Sequence, residues 1–332
     1  NHAKYPKNIY FHNDRELFVS QFIASRLNWK EKGLKLTQNT RYPDEQKTSF
    51  IFECEKPVDL ILQIRYPYWA EKGMIVTANP YFNCGKCYSC RKGKVNCCES
   101  NQTMGVHRDG SFTEYITMPI ERIYHGKGLN ARTLALIEPF SIGYHAINRG
   151  EVQEEDNVLV FGAGPIGIFA LISAKLKGAK VYAADMLDGR LEYAKKMGAD
   201  GVINVGNEDV KKKVLEITNG DGMDVCVEAA GAPETFLKCI ETVAFAGKII
   251  LVGNGKRETT FNHSVLLQKE LNVYGSRNSL NDFEPLIDLT SSGKVNIDDI
   301  VTDEYDLDNV LDAFKTLTNN DGTKLKVLVK FS

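Results

Sequence analysis

Cys84, Cys87 and Cys90 are spaced C-x-x-C-x-x-C, and Cys97 and Cys98 follow close behind. Three thiolates at that spacing on a turn-rich loop, closed by a fourth that returns soon after, make a tetrahedron around zinc with no open position, which is a structural site. Either Cys97 or Cys98 can supply the fourth sulfur. Lys86, Arg91, Lys92 and Lys94 decorate the loop, so contact with nucleic acid has to be weighed. A net charge of −2 and the lack of a recognition helix after Cys98 argue against it.

A second chemistry lies in Gly162, Gly164 and Gly167, spaced G-x-G-x-x-G with Pro165 and Ile166 between the last two. The apolar run Val158 to Phe161 precedes them and a helical run to Lys177 follows, which reads as strand, tight turn, helix. The first glycine permits the turn, the second lets a pyrophosphate approach the backbone, and the third lets helix and strand pack closely. Free N–H groups at the helix start then face the anion. Val181 to Ala184 reads as the next strand, and Asp185 at its end is set to accept hydrogen bonds from adenosine ribose hydroxyls. Its charge would repel a 2′-phosphate, so NAD is favoured over NADP, although Arg190 nearby could accommodate that phosphate or flank the adenine.

A third candidate is Glu138, a carboxylate inside the apolar, helix-like run Leu134 to Ala146. A buried charge needs a partner, here an arginine or a metal. His145 in the same run reads as a packed or hydrogen-bonded histidine.

These residues need a scaffold. After the glycine turn, Leu191 to Met197, Val210 to Thr218 and Glu234 to Thr242 read as helices, alternating with extended Gly201 to Val205, Asp224 to Ala229 and Lys248 to Val252. Nearly all-apolar strands alternating with helices make a parallel sheet covered on both faces, a doubly wound domain. Gly231, Val252 and Gly253 follow the fourth and fifth strands at their carboxyl ends, where ligands sit, and are expected to line the nicotinamide pocket. Beyond Gly275 the alternation stops: Phe283 to Leu289 and Leu307 to Leu317 read as helices and Lys326 to Phe331 as a strand that returns to the first domain.

The first 72 residues say less. Asp14 to Ala24 reads as a short amphipathic helix through Leu17, Phe18, Gln21 and Phe22, Lys30 to Lys47 as a loop, and Val58 to Tyr66 as a strand ended by Pro67. Ser111 to Met118 reads as an alternating strand. His2, His12 and Cys54 sit in no ligand-spaced cluster and read as surface or packing residues. With 332 residues, 43% hydrophobic and 25% charged, the chain fits two soluble domains. No apolar run reaches the roughly 18 residues of a membrane span. Asn1 to Tyr10 is polar and basic, and five of eight cysteines crowd between Cys84 and Cys98, so a reducing, cytoplasmic setting is expected.

From Lys72 to Ser332 the chain resembles the zinc-containing medium-chain dehydrogenase family. The order of cysteine lobe, Glu138-Pro, glycine turn and Asp185 carries the resemblance. The runs Asn79-Pro-Tyr-Phe-Asn-Cys-Gly-Lys-Cys and Gly110-Ser-Phe-Thr-Glu-Tyr resemble the polyol and sugar-acid branch, of the galactonate or galactitol-phosphate type. The resemblance implies that Cys98 is the fourth ligand of a structural zinc with Cys84, Cys87 and Cys90, and that Glu138 belongs to a catalytic zinc site. It implies an α/β chain with a GroES-like, mostly-β catalytic domain over residues 1–138 and 278–332, including the lobe 84–98, and a Rossmann domain over 139–277. Dimers or tetramers of one chain are expected, with a small-molecule substrate and neither nucleic acid nor membrane as partner.

The expected activity is hydride transfer between a secondary alcohol of a polyol or sugar acid and NAD, with Glu138 as ligand or as the group adjusting the metal's charge. The family's other catalytic ligands lie in a Cys-Gly-Ser/Thr-Asp loop and a Gly-His-Glu motif upstream of the lobe, and neither motif occurs here. Val58 to Tyr66 resembles the strand that leads into that loop, and Asn1-His-Ala-Lys-Tyr-Pro resembles the run before Gly-His-Glu, but in the wrong order. The alternative is therefore a catalytically silent NAD(H)-binding relative with structural zinc only. A zinc-independent relative that reduces activated carbonyls or alkenes is disfavoured by the cysteine lobe.

Overall fold

The structure, a computed structural model, describes residues 9–20, 23–41, 48–64, 74–113, 116, 118–319 and 321–331. His2, the Asn1-to-Pro6 run, Phe22, Tyr66 to Gly73 and Glu114, Tyr115 and Thr117 lie outside the described residues. The chain divides into two compact units, residues 1–74 with 111–119, and residues 75–110 with 120–332.

The described residues of the first unit form the strands β1 (Tyr10–His12), β2 (Glu16–Val19), β3 (Ser25–Trp29), β4 (Leu34–Thr40), β5 (Thr48–Cys54) and β6 (Ile61–Ile64). They form two three-stranded sheets, β1-β2-β6 and the antiparallel β3-β4-β5. Leu17, Trp29, Leu34 and Leu36 make its core. Glu16–Val19 is a strand and not part of a helix, because Leu17 and Val19 point inward while Phe18 points out, a period of two held by pairing on both edges. Within Lys30 to Lys47, the segment Leu34–Thr40 is a strand, with Leu34, Leu36 and Gln38 buried. Gln38 is satisfied by the Tyr10 hydroxyl, at 3.1 Å, so a polar residue serves as core and hides the alternation. His12 packs on the Trp29 ring, with centroids 4.3 Å apart, and Cys54 is exposed.

The second unit begins with β7 (Val76–Ala78), β8 (Tyr81–Phe82), helix α1 (Tyr88–Arg91), β9 (Gln102–Thr103) and β10 (Ile123–His125). β7 pairs with β10 and β8 with β9, both antiparallel. No strand occurs at Ser111 to Met118 among the described residues. Helices α2 (Ala131–Leu134) and α3 (Ile137–Arg149) lead into β11 (Asn157–Phe161), α4 (Pro165–Leu176), β12 (Lys180–Asp185), α5 (Asp188–Lys196), β13 (Gly201–Asn204), α6 (Val210–Ile217), β14 (Met223–Glu228), α7 (Pro233–Thr242), β15 (Val243–Leu251), α8 (Ser264–Gln268) and β16 (Asn272–Gly275). All six strands β11 to β16 are parallel, in the order β13-β12-β11-β14-β15-β16.

The order reverses between β11 and β14, so a crevice opens beyond their carboxyl ends. Two apolar clusters cover the sheet. One is built around Phe140, Phe169 and Val160, the other around Leu159, Phe161 and Ile249. The Phe140 and Phe169 rings stack 5.0 Å apart and fasten α3 to α4. The tail comprises α9 (Phe283–Ser291), β17 (Val301–Asp306), α10 (Val310–Thr318) and β18 (Lys326–Lys330), with β17 and β18 paired in parallel.

Candidate cofactor and metal sites

The glycine turn follows β11 and opens α4. Gly162 has φ +94, the left-handed region where a side chain is strained. A Cβ on Gly167 would stand 1.7 Å from the Gly162 carbonyl oxygen, so only glycine lets α4 lie this close to the turn. Around Gly164 the situation is reversed: nothing lies within 4 Å of where its Cβ would be. Pro165 takes the first helical position, where its missing N–H costs nothing. The first-turn N–H groups of α4 therefore face open space at a positive helix end, which fits a pyrophosphate.

Asp185 ends β12 and is 6% exposed. One oxygen accepts from the Ala163 N–H at 2.8 Å and the other from the Leu187 N–H at 3.0 Å, which ties the carboxylate to the glycine turn. A carboxylate has about four acceptor positions, which leaves capacity for ribose hydroxyls. Arg190 Nη1 stands 3.5 Å from Asp185, and its Nε is buried without a protein partner.

At the carboxyl ends of β14 and β15, Gly231 and Gly253 touch, since a Cβ on Gly253 would meet the Gly231 nitrogen at 2.2 Å. Glu228, 3% exposed, arranges this corner and was not singled out in the sequence. Its Oε1 accepts from the Ala230 and Gly231 N–H groups at 3.0 and 2.8 Å and from the Thr235 hydroxyl at 2.6 Å. Its carbonyl accepts from the N–H groups of Val252 and Gly253, both at 2.9 Å. A charged residue ending the otherwise apolar run Val225 to Val227 was the available signal.

The sulfurs of Cys84, Cys87, Cys90 and Cys98 all lie within 4.8 Å of one another. Cys98 is buried, whereas Cys97 is exposed and outside the group. Backbone N–H groups of Cys84 and Cys87 point at the sulfurs of Cys98 and Cys84, each at 3.3 Å. The Ser89 hydroxyl and the N–H groups of Cys90 and Glu99 pull the Cys87 thiol down to about 5, while burial pushes Cys90 up to about 11. Four thiolates this close ionise together only with a cation among them, so the set fits a closed zinc site.

Glu138 lies in the first turn of α3, half-buried, and where an arginine or a metal was expected its hydrogen-bond partner is a tyrosine. The Tyr81 hydroxyl donates to its Oε1. Burial, then the Glu138 charge, push the Tyr81 phenol well above its usual pKa, so it stays a neutral donor. Tyr81 is 57 positions away in the chain, beyond any local pattern. Among the described residues the four cysteines are the only group of three or more ligand atoms. A catalytic zinc takes three protein ligands, and the described residues alone do not supply such a set around Glu138. His145 is hydrogen-bonded, with Nδ1 3.2 Å from Asp282 and Nε2 3.3 Å from Asn96.

Residues 165–292 match the family described as zinc-binding dehydrogenase, and residues 69–127 match the alcohol dehydrogenase GroES-like domain. Residues 16–82 match a different description, the middle domain of the GH127 β-L-arabinofuranosidases, which takes in the strand expected at Val58 to Tyr66. An uncharacterized zinc-type alcohol dehydrogenase-like protein of Haemophilus influenzae is 35% identical over 257 residues, covering 77% of this chain and 75% of that protein. The L-galactonate-5-dehydrogenase of Escherichia coli K12 is 30% identical over 262 residues, covering 79% and 77%. A solved structure described as a short chain alcohol dehydrogenase of Escherichia coli CFT073, complexed with NADH, superposes with a TM-score of 0.75 at 32% identity, covering 78% of this chain and 77% of that one.

Proposed function

The chain belongs to the zinc-type alcohol dehydrogenase family, NAD-dependent dehydrogenases with a GroES-like and a nucleotide-binding part, and we propose that it exchanges hydride between NAD and a secondary alcohol of a polyol or sugar acid. The observation that carries this reading is the glycine turn bonded to Asp185 at the switch point of the parallel sheet. In our assignment the residues 139–277 form the nucleotide-binding domain, and the GroES-like part takes in 278–332 and the chain before 139. The Gly162, Gly164 and Gly167 turn with Pro165 and Ile166 binds the pyrophosphate, and Asp185 binds the adenosine ribose. Arg190 flanks the adenine, its charge offset by Asp185. Gly231, Val252 and Gly253 line the nicotinamide, and Glu138, held by Tyr81, stands at the alcohol end. Bound NAD supplies the hydride acceptor. Cys84, Cys87, Cys90 and Cys98 hold a structural zinc.

Asp185→Ala is expected to weaken NADH binding about 10- to 100-fold, the loss of hydrogen bonds to a charged acceptor. NADPH binding should change less, so isothermal titration with both cofactors checks the assignment. An equal loss for both would remove Asp185 from the ribose.

We also assign a homo-oligomer. β16 is an edge strand whose Val273 is exposed, and Phe245 and Leu267 are exposed as well, so a second copy has an unpaired edge and apolar side chains to cover. Light scattering would read this as a multiple of 37.2 kDa, and a monomer would refute it.

One observation favours a second reading, a chain that binds NAD(H) without turnover. The GH127 match spans the stretch where the resemblance puts the upstream ligand motifs. Metal-replete protein incubated with NAD and a panel of polyols and sugar acids separates the two. NADH formation supports the dehydrogenase reading, and NADH binding without its formation supports the silent one. About two zinc ions per chain by elemental analysis would accompany the first outcome and about one the second.

A further inference from the structure

The 3-10 turn Val95–Cys97 leads into Cys98, and Asn96 within it is 5% exposed. Its Nδ2 donates to the Arg277 carbonyl at 2.9 Å and lies 3.3 Å from His145 Nε2. An amide nitrogen has two hydrogens, so both bonds can be made at once, with His145 accepting. His145 Nδ1 is then free to donate to Asp282 Oδ2 at 3.2 Å, and the same oxygen accepts from the Leu280 N–H at 2.7 Å. A connected set of polar side chains thus runs from the cysteine lobe, through α3, to the segment 276–282.

That segment leaves the carboxyl end of β16. Gly275 is in register with Leu251, and the Ser276 N–H donates to the Leu251 carbonyl at 2.9 Å, beside Val252 and Gly253. It therefore borders the corner assigned to the nicotinamide, and its role in cofactor binding rests on that assignment. Its backbone is not at ease: Asn278 and Asn281 have φ +52 and +60. Such conformations persist where surrounding contacts impose them. Asn96 bonds the residue immediately before Asn278. The Oδ1 of Asn96 and the Oγ of Ser279, in residues each 5% exposed, have no protein partner, so the segment is polar, enclosed and not fully satisfied.

We propose that Asn96 is a positioning residue: from the cysteine lobe it holds segment 276–282 in the shape that borders the nicotinamide, so that metal in the lobe and NADH in the cleft bind cooperatively. The coupling is reciprocal, as any linkage between two sites must be. The adenosine half of the cofactor lies at β12 and does not feel it.

The test compares NADH with ADP-ribose, which carries the adenosine, pyrophosphate and second ribose without the nicotinamide. Asn96→Ala and the isosteric Asn96→Asp, which loses the donor to Arg277, are titrated in the full chain, with zinc content and melting temperature measured alongside. The expected result is NADH binding weakened about tenfold, the scale of one lost hydrogen bond that holds a loop. ADP-ribose binding and zinc content should stay as in the parent. Chelating the zinc should weaken NADH selectively in the parent and add little in Asn96→Ala, because the two changes remove one connection. Equal losses for NADH and ADP-ribose, or no loss for either, would overturn the proposal while leaving the cofactor site standing. A parent chain that binds neither ligand would overturn both.

Discussion

Replacing Cys98 by serine is expected to cost the chain one zinc ion and open the lobe 84–98. Cys98 is the buried member of the four-sulfur group and also accepts the Cys84 N–H, so its loss removes a proposed ligand and one of the bonds that shape the loop. Structural zinc sites hold on the order of 10 kcal/mol of binding free energy, all of which is folding free energy where no site exists in the unfolded chain. The fall in melting temperature should accordingly be the largest of any single substitution in the lobe. Cys97→Ser is the matched control. Cys97 is exposed and outside the group, so it should keep the zinc and change stability by less than about 0.5 kcal/mol. Elemental analysis of the two variants beside the parent decides it: loss of zinc from Cys97→Ser, or none from Cys98→Ser, would reverse the ligand assignment.

Gly164→Ala is expected to separate folding from cofactor binding. The added methyl meets nothing within 4 Å, and the residue has φ −70, so the fold has no reason to resist it. In the proposed binding mode the same methyl fills the space through which the pyrophosphate reaches the first-turn N–H groups of α4. NADH affinity should fall at least about tenfold, since hydrogen bonds to a charged group are each worth about 1.5–3 kcal/mol, with the melting temperature unchanged. Gly167→Ala makes the contrast. Its methyl would stand 1.7 Å from the Gly162 oxygen and 2.9 Å from the carbonyl carbon, backbone atoms that yield only if the turn opens. Both stability and NADH binding should be lost there, stability by about 1–3 kcal/mol. Retained NADH affinity in Gly164→Ala would mean that the cofactor does not approach at this turn.

The parts of the molecule that were legible in the sequence are those where local pattern and tertiary role coincide. The strands around Val158 to Phe161 and Val225 to Val227 are apolar because both faces of a parallel sheet are covered, and this leaves a signal that does not depend on distant residues. The cysteine group was equally local. Leu17 and Phe18 misled because a run of four residues satisfies a helical and an extended period alike, and only pairing to β1 and β6 selects the strand. Lys30 to Lys47 misled because Gln38 is a core residue whose partner, Tyr10, is 28 positions away. The candidate site shows the same limit: the turn, Asp185 and the cysteines could be named in advance, whereas Tyr81 on Glu138 and Asn96 on Arg277 join segments 57 and 181 positions apart.

Titration of the full, metal-replete chain with NADH, and then with NADPH, tests the account most directly. One NADH bound per chain, more tightly than NADPH, is the predicted result. Absence of saturable NADH binding, or a preference for NADPH, would contradict it.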